Sequence, residues 1–332
     1  MDLLVLGGTR FVGRHLVGAA LDRDHQVTLF NRGRSAPDLF PEVETLRGDR
    51  DGDLPALRGR KWDAVVDTCG YVPRVVRASA ELLADAVDRY VFVSSISVYD
   101  ESLPPGADES APVAVLDDES VEEVTGETYG ALKALCEQAA EEILPGRVIS
   151  VRPGLIVGPH DPTGRFAYWP RRAARGGEAL APGRPERPVQ FVDARDLALW
   201  ILAMAERGEA GAYNAIGPKS ELTMDHLLEA CANAAGSDVS FAWVDDAFLE
   251  ERTVEPFTEL PLWLPEENAS LLAVDNSRAV AAGLEFRPVE ETVRDVLEYE
   301  RDIEDAVYDA GLDSKKEHGL LEAWREERAG TR

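Results

Sequence analysis

Tyr129 and Lys133 are four residues apart within a stretch, 126–143, whose apolar residues recur with helical spacing. That separation places both side chains on one face of a helix, one turn apart. A phenol has a pKa of about 10, and a neighbouring ammonium favours the phenolate, so the pair can move a proton at neutral pH. The spacing therefore indicates general acid–base chemistry in which Lys133 assists Tyr129.

A hydroxyl-rich segment ends the predicted strand 90–94. Ser94, Ser95 and Ser97 come at the end of this apolar run, and side chains at the carboxyl end of a parallel strand lie where such sheets bind ligands. Ser95 could therefore hydrogen-bond a reacting oxygen. Taken singly, these serines are just as typical of turns and helix caps. Their place before Tyr129 favours the catalytic interpretation.

A glycine-bearing turn lies directly between a predicted strand, 2–6, and a predicted helix, 11–22. Glycine permits the tight turn and close contact between strand and helix, and the helix N-terminus offers free amides to a pyrophosphate. A turn that needs glycine only for its own backbone is the alternative. The predicted cofactor contacts here are Gly7, Thr9, Arg10, Phe11, Val12 and Gly13.

The strand after this turn, 26–30, should be followed by the residue that binds the adenosine ribose. An acidic residue there would hold the 2′-hydroxyl of NAD, but this chain has Asn31, Arg32, Gly33 and Arg34. Arginine can neutralise a 2′-phosphate, so the sequence favours NADP over NAD. The alternative is that Arg32 and Arg34 are ordinary surface arginines.

The first half of the chain alternates apolar runs with amphipathic stretches, with further strands predicted at 43–47 and 63–67 and a helix at 74–87. This alternation predicts an α/β fold, a Rossmann-type doubly wound parallel sheet with a smaller C-terminal substrate-binding region. We expect residues 1–152 to form the NAD(P)-binding domain, including the catalytic helix. Residues 153–332 would be mainly the substrate-binding region, with 189–216 returning to the main sheet.

These motifs resemble the extended short-chain dehydrogenase/reductase superfamily, in its NAD(P)-dependent nucleotide-sugar epimerase/dehydratase group. The resemblance rests on the glycine turn, the Ser-Ser-x-x-Val-Tyr segment at 94–99 and the Tyr-x-x-x-Lys pair. It implies that Ser95 is the catalytic serine, that Tyr129 is the acid/base, and that Lys133 lowers the tyrosine pKa and binds the nicotinamide ribose. By the same resemblance Asp49 lies near the adenine, and Cys69 and Gly70 line the cofactor.

The chain departs from the family pattern in two places. Arg10 replaces the central glycine of the turn, and an acidic loop, 101–125, lengthens the interval between Ser95 and Tyr129. The second change predicts a remodelled acceptor pocket. Arg152-Pro153-Gly154 resembles the family's post-strand substrate region. The Gly-Gly-Thr-Arg-Phe-Val-Gly string resembles a divergent, reductase-like branch that includes chloroplast stem-loop-binding proteins.

Two functions follow from these residues. The first is an NAD(P)-dependent oxidoreductase or epimerase acting on a hydroxyl or ketone carbon of a sugar-like or other small-molecule substrate. The second is a non-catalytic dinucleotide-binding regulatory or RNA-associated protein, for which an arginine cluster at 171–175 is the supporting feature. The family resemblance also implies a homodimer through the helices that include Tyr129. No histidine or cysteine spacing indicates a metal site.

The composition is strongly acidic. The 332 residues carry a formal net charge of −27, which argues against nucleic acid or an anionic membrane as a partner. Three cysteines far apart are typical of a reducing compartment, and no long apolar run predicts a membrane span. We therefore expect a cytoplasmic protein. The spread of the charge and the scarcity of lysine indicate a halophilic surface.

Salt should stabilise such a surface. In molar KCl the Debye length falls to about 3 Å, which screens repulsion among the carboxylates. We expect the thermal midpoint, followed by circular dichroism, to rise between low and multimolar KCl. An acidic protein without this adaptation would show no such rise, and that result would contradict the prediction.

Overall fold

The computed structural model describes residues 1–100, 103–303 and 308–330. Its strands are β1 (Asp2–Leu6), β2 (Gln26–Asn31), β3 (Glu44–Arg47), β4 (Trp62–Asp67), β5 (Val87–Val93), β6 (Val148–Pro153), β7 (Leu155–Val157), β8 (Glu178–Pro182), β9 (Phe191–Asp193), β10 (Gly211–Ala215) and β11 (Ser240–Val244). Seven of them form one sheet in the order β10-β6-β5-β4-β1-β2-β3, and every pairing in it is parallel.

The helices are α1 (Phe11–Asp22), α2 (Pro73–Leu83), α3 (Tyr129–Ile143), α4 (Tyr168–Ala174), α5 (Ala194–Arg207), α6 (Met224–Ala235), α7 (Asp246–Glu251), α8 (Ser277–Ala281), α9 (Val289–Asp302) and α10 (Ser314–Gly330). Around the main sheet, α1 packs on α5 and α2 packs on α3. The strand cores are continuous apolar runs, such as the fully buried Leu3–Leu6, because both faces of the sheet are covered. The predicted doubly wound Rossmann-type class is confirmed.

The order of the strands locates the ligand cleft. Strand β1 pairs with β2 on one side and with β4 on the other, so the chain changes direction across the sheet at β1. In open parallel sheets the crevice at the carboxyl ends of strands beside such a point is where ligands bind. The segments that follow β1, β4 and β5 therefore meet at the functional edge.

Two helix boundaries differ from the sequence expectation. Helix α2 ends at Leu83 instead of continuing to residue 87. The carbonyl of Ala86 accepts from the Trp62 amide of β4, so residue 86 is already bonded to the sheet at the start of β5 and cannot continue the helix. Helix α3 begins at Tyr129 instead of residue 126, because Thr125 and Thr128 hold a turn whose hydroxyls bond the local backbone.

The chain divides into two compact units. The first contains residues 1–155, 194–219 and 274–286, and the second contains 156–193, 220–273 and 287–332. Within the segment 189–216, expected to return to the main sheet, β10 does join it, but β9 pairs with β7 in a separate two-stranded sheet. With three residues each, β7 and β9 satisfy one another's backbone groups locally.

A buried polar network lies in the first unit where β4 ends. The Asp67 carboxylate is fully buried and accepts from Arg50 Nη1 at 2.5 Å and from the Tyr90 hydroxyl at 2.8 Å. The Arg50 guanidinium also donates to the Ser79 hydroxyl of α2. A buried charge is tolerated only when it is paired and hydrogen-bonded. The network therefore fastens the loop after β3, which carries Asp49, to β4, β5 and α2.

Replacing Arg50 with alanine should strongly destabilise the protein. The substitution leaves Asp67 as a buried carboxylate without its counter-charge, and removing one partner of a buried pair costs about 3–5 kcal/mol. Urea unfolding of Arg50→Ala measures this loss. The matched control is Arg60→Ala, which breaks the exposed pair with Glu44 and should barely move the midpoint. Equal losses in both variants would contradict the interpretation.

Candidate active site

The glycine turn after β1 leaves no room for side chains. Gly7 has φ 101° and Gly8 has φ 89°, values that favour glycine. A Cβ on Gly7 would lie 2.5 Å from Thr68 Oγ1, and one on Gly13 would lie 2.8 Å from the Gly8 Cα. Helix α1 begins without a side-chain cap and with no acidic residue in its first turn. The turn thus forms a cradle at a helix N-terminus that fits a pyrophosphate.

The other residues of the turn contribute in different ways. Arg10 is exposed in an extended conformation at the N-cap of α1, so its guanidinium can reach an anion in the cradle. Phe11 has φ 29° and lies edge-on to His15. Thr9 is half-buried, whereas Val12 is buried in the core. Only the backbone of Val12 could therefore contact a cofactor.

Asn31 connects the loop after β2 to the glycine turn and to β3 through hydrogen bonds. Its Nδ2 donates to the Gly7 carbonyl at 3.2 Å, and its Oδ1 accepts from the Gly33 amide and from the Arg47 guanidinium. Arg47 was not singled out in the sequence, although it ends β3 directly beside Asn31 in the parallel register. Asn31 therefore organises the loop in which the exposed Arg32 and Arg34 lie.

The adenine side carries mixed charge. Arg32 Nη1 lies 3.8 Å from Asp49 Oδ2, and both side chains are about half exposed, at 55% and 44%. Arg34 is exposed as well. An exposed pair at this distance is weak, so Arg32 is available to a stronger anion.

Lys133 is the most constrained polar group of the site. Its Nζ donates to the Gly70 carbonyl at 2.7 Å and to the Val93 carbonyl at 2.7 Å, and the residue is 3% exposed. The Phe92 ring lies 4.2 Å from the ammonium. Burial lowers the pKa of Lys133 to about 8, so the side chain is still largely protonated at neutral pH. Two of its three donors are occupied, which leaves one for a ligand.

Ser95 and Tyr129 are brought to the same edge by close packing. The Ser95 hydroxyl donates to Ser97 Oγ and accepts from the Ser97 amide, both at 3.1 Å. A Cβ on Gly130 would overlap the Ser97 carbonyl oxygen, so α3 begins directly against this serine turn. Ser95 also lies two residues after Val93, which holds Lys133. The catalytic candidates therefore share one local framework.

Cys69 and Gly70 connect the glycine turn to Lys133. A Cβ on Gly7 would lie 3.5 Å from Cys69 Sγ, and the Gly70 carbonyl accepts from Lys133 Nζ. The Cys69 amide donates to the buried Asp67. Burial raises the pKa of the Cys69 thiol, which keeps it neutral. This segment therefore lies between the glycine turn and Lys133.

The acidic loop is anchored in the first unit from residue 103 onward; residues 101–102 lie outside the described ranges. The Ala114 amide donates to the Val98 carbonyl at 2.7 Å, and the Glu109 carboxylate accepts from the Asn214 amide at 2.7 Å. Glu122 pairs with Arg74 of α2. The loop is thus held at several points, and its effect on the acceptor pocket stays a prediction.

The Arg152 side chain is buried in the first unit, where its hydrogen-bond partners lie. Its guanidinium pairs with Glu137 of α3 at 2.7 Å and donates to the Tyr99 hydroxyl at 3.0 Å. The residue is 6% exposed. The resemblance of Arg152-Pro153-Gly154 to a substrate region therefore does not extend to the arginine side chain, whose contacts fix α3 against β6.

The described residues, 1–100, 103–303 and 308–330, contain neither a candidate metal cluster nor a candidate membrane span. Within them, no group of three or more His, Cys, Asp or Glu side chains could hold a metal ion. No helix in the same ranges combines the length and apolar character that a membrane crossing requires.

Part of the chain matches a known family. Residues 59–216 match the NAD dependent epimerase/dehydratase family, a range that contains Ser95, Tyr129 and Lys133. Over 258 residues the chain is 29% identical to the chloroplast stem-loop binding protein of 41 kDa b of Arabidopsis thaliana, covering 70% of this chain and 63% of that protein. The chain therefore spans less than two thirds of the length of this relative. Over 256 residues it is 26% identical to the epimerase family protein SDR39U1 of Bos taurus, covering 71% and 81% of the two chains.

Solved structures share the fold. A UDP-glucose 4-epimerase from Thermus thermophilus in complex with NAD matches with a TM-score of 0.64 at 20% identity, covering 92% of this chain and all of that chain. A UDP-glucuronic acid 4-epimerase from Bacillus cereus, also with NAD, matches with a TM-score of 0.66 at 15% identity, covering 92% and 99%. At 20% identity or less, these likenesses show the fold alone, and the match to the NAD dependent epimerase/dehydratase family covers residues 59–216, a little under half of the chain.

Proposed function

We propose that this protein is an NAD(P)-dependent oxidoreductase or epimerase acting on a hydroxyl or ketone carbon of a sugar-like or other small-molecule substrate. The observation that carries the proposal is the buried Lys133, held by the carbonyls of Gly70 and Val93 one helical turn after Tyr129. A buried ammonium is expensive to maintain. Placing it beside a tyrosine at a cofactor-type cleft supports a catalytic role for the pair.

The roles of the residues follow from their chemistry. The nicotinamide cofactor, when bound, accepts or supplies the hydride at the substrate carbon. Tyr129 takes the hydroxyl proton during oxidation and returns it during reduction, so one proton moves with each hydride. The Lys133 ammonium favours the phenolate form of Tyr129. Ser95 hydrogen-bonds the substrate oxygen and holds it towards the phenol.

The same framework serves reduction and epimerisation. Net reduction uses one hydride transfer, whereas epimerisation uses an oxidation followed by a return of the hydride to the other face. Both need the same proton transfer by Tyr129, which is why these residues fit either reaction.

NADP is the favoured cofactor. Strand β2 ends at Asn31 and is followed by Arg32, so no carboxylate repels a 2′-phosphate there. Arg32 and Arg34 are exposed on the loop that Asn31 organises, and Arg47 lies beside Gly33. Three guanidinium groups around one loop support binding of a phosphate.

The RNA-associated alternative finds less support. The name of the Arabidopsis relative refers to stem-loop binding by that protein. In this chain the arginine cluster at 171–175 is largely engaged within the second unit. Arg172 is 6% exposed and pairs with Glu317, and Arg171 lies 3.7 Å from Glu300. These pairs, with the net charge of −27, disfavour a surface for RNA.

Three wider properties belong to the same proposal. We propose a homodimer through the helices that include α3, a cytoplasmic location and a surface adapted to high salt. They are supported by the family resemblance, by the cysteine usage and by the acidic composition, respectively.

Replacing Tyr129 with phenylalanine should abolish turnover while preserving cofactor binding. The ring and its packing remain, but the transferable proton is lost, so we expect kcat to fall by about 100-fold or more. The assay follows NADPH or NADH absorbance with UDP-glucose, UDP-glucuronic acid and small ketones as trial substrates. Tyr213→Phe is the matched control, since that ring packs on Trp200 and Arg278. Full turnover in Tyr129→Phe would refute the proposal.

Replacing Arg32 with alanine should reduce the preference for NADPH. A charge-assisted hydrogen bond to the 2′-phosphate is worth about 1.5–3 kcal/mol, so the Kd for NADPH should rise by about tenfold or more. The Kd for NADH should not change. Fluorescence titration measures both, with the exposed Arg58→Ala as control. An unchanged ratio of the two Kd values would defeat the assignment of Arg32.

A further inference from the structure

Tyr71 is a half-exposed aromatic residue that the mechanism above does not use. It lies between β4 and α2, and 47% of its surface is exposed. Its position follows directly from Cys69 and Gly70, which line the cleft.

The ring of Tyr71 lies beside both proton-transfer residues. Its centroid is 5.3 Å from Lys133 Nζ and 6.5 Å from the centroid of the Tyr129 ring, with an angle of 40° between the two rings. Burial raises the pKa of Tyr71, whereas the Arg10 guanidinium opposes the shift. The phenol therefore stays protonated at neutral pH, and Arg10 of the pyrophosphate cradle is close enough to act on it.

The backbone around Tyr71 cannot easily move. A Cβ on Gly70 would lie 2.6 Å from the Phe92 ring and 2.8 Å from Val76, so this segment is pressed against the core. Pro73 begins α2 two residues later. The fixed backbone holds the ring in place before any ligand binds, which lowers the entropy that binding must overcome.

A dinucleotide that extends from the glycine turn to Lys133 would lie along the Tyr71 ring. The cradle at Gly7 lies next to Cys69, and Lys133 bonds to the Gly70 carbonyl, so residues 69–71 span the distance from pyrophosphate to proton-transfer group. A ligand that occupies the remaining donor of Lys133 therefore lies against Tyr71. Covering a half-exposed ring with a flat group removes apolar surface from water.

We propose that Tyr71 is a positioning residue that packs on the nicotinamide–ribose half of the bound dinucleotide and slows its release. This inference rests on the proposed function, since it needs the dinucleotide to reach Lys133. It also bears on the reaction class. A cofactor that is released slowly favours epimerisation with internal return of the hydride, and a cofactor that exchanges rapidly favours net reduction.

The test measures the dissociation rate of NADPH by stopped-flow fluorescence, with excess NADP⁺ as the chase. We expect Tyr71→Ala to raise the rate by about tenfold and Tyr71→Phe to leave it near the wild-type value, because phenylalanine keeps the ring. Tyr71→Leu keeps a branched apolar side chain without the ring and replaces the alanine variant if that one does not fold. Leu199→Ala, which truncates an exposed apolar side chain on α5, is the matched control.

A second ligand distinguishes an effect of Tyr71 on the nicotinamide half of the cofactor from an effect on the fold as a whole. The probe 2′,5′-ADP carries the adenosine half of NADP and lacks the nicotinamide half, so its Kd should be the same in wild type and Tyr71→Ala. If Tyr71→Ala weakened both ligands equally, the residue would act through the fold and the inference would be overturned. Equal NADPH release in wild type and Tyr71→Ala would also overturn it.

A different result would refute the proposed function. If the wild-type protein bound neither NADPH nor NADH, the dinucleotide-dependent reaction itself would be refuted. Should the protein bind NADH instead, the same comparison is made with NADH and ADP, and the inference on Tyr71 is judged by the release of NADH.

Discussion

The active edge of this protein depends on one buried ammonium held by two backbone carbonyls. Lys133 comes from α3, while its acceptors Gly70 and Val93 follow β4 and end β5. Removing an ammonium from water is costly unless hydrogen bonds replace the lost hydration. The two carbonyls, with the face of Phe92, supply that replacement. The same contacts hold α3 to the carboxyl edge of the sheet, where Tyr129 and the serine turn must meet.

Close backbone contacts complete this arrangement. Gly130 lets α3 touch the Ser97 carbonyl, and Gly13 lets α1 approach the turn at Gly8. A side chain at either glycine would overlap these backbone atoms and force the helix away from the turn. The Asp67–Arg50 pair then fastens the adenine-side loop beneath the cleft. The position of α3 against the sheet is therefore a result of packing and of the hydrogen bonds that hold Lys133.

Much of the fold could be predicted because its signals are local. The continuous apolar run 3–6, the glycine turn after it and the helical spacing of 11–22 lie next to one another in the chain, and the structure has these elements with β1 at 2–6 and α1 at 11–22. The end of α2 could not be predicted, because it depends on a bond between Trp62 and Ala86. The two-stranded pairing of β9 with β7 likewise depends on a partner that is distant in the chain.

The sequence by itself determined that Tyr129 and Lys133 are one helical turn apart wherever that helix lies. It also determined that a glycine-bearing turn follows the first strand. Only the tertiary structure decided which groups hold Lys133 and that Tyr71 lies beside it. It also decided that the Arg152 guanidinium donates to Glu137 and Tyr99. The physical reason is the range of the interactions. Helical spacing acts over four residues, whereas these contacts join segments 15 to 63 residues apart, which no local pattern encodes.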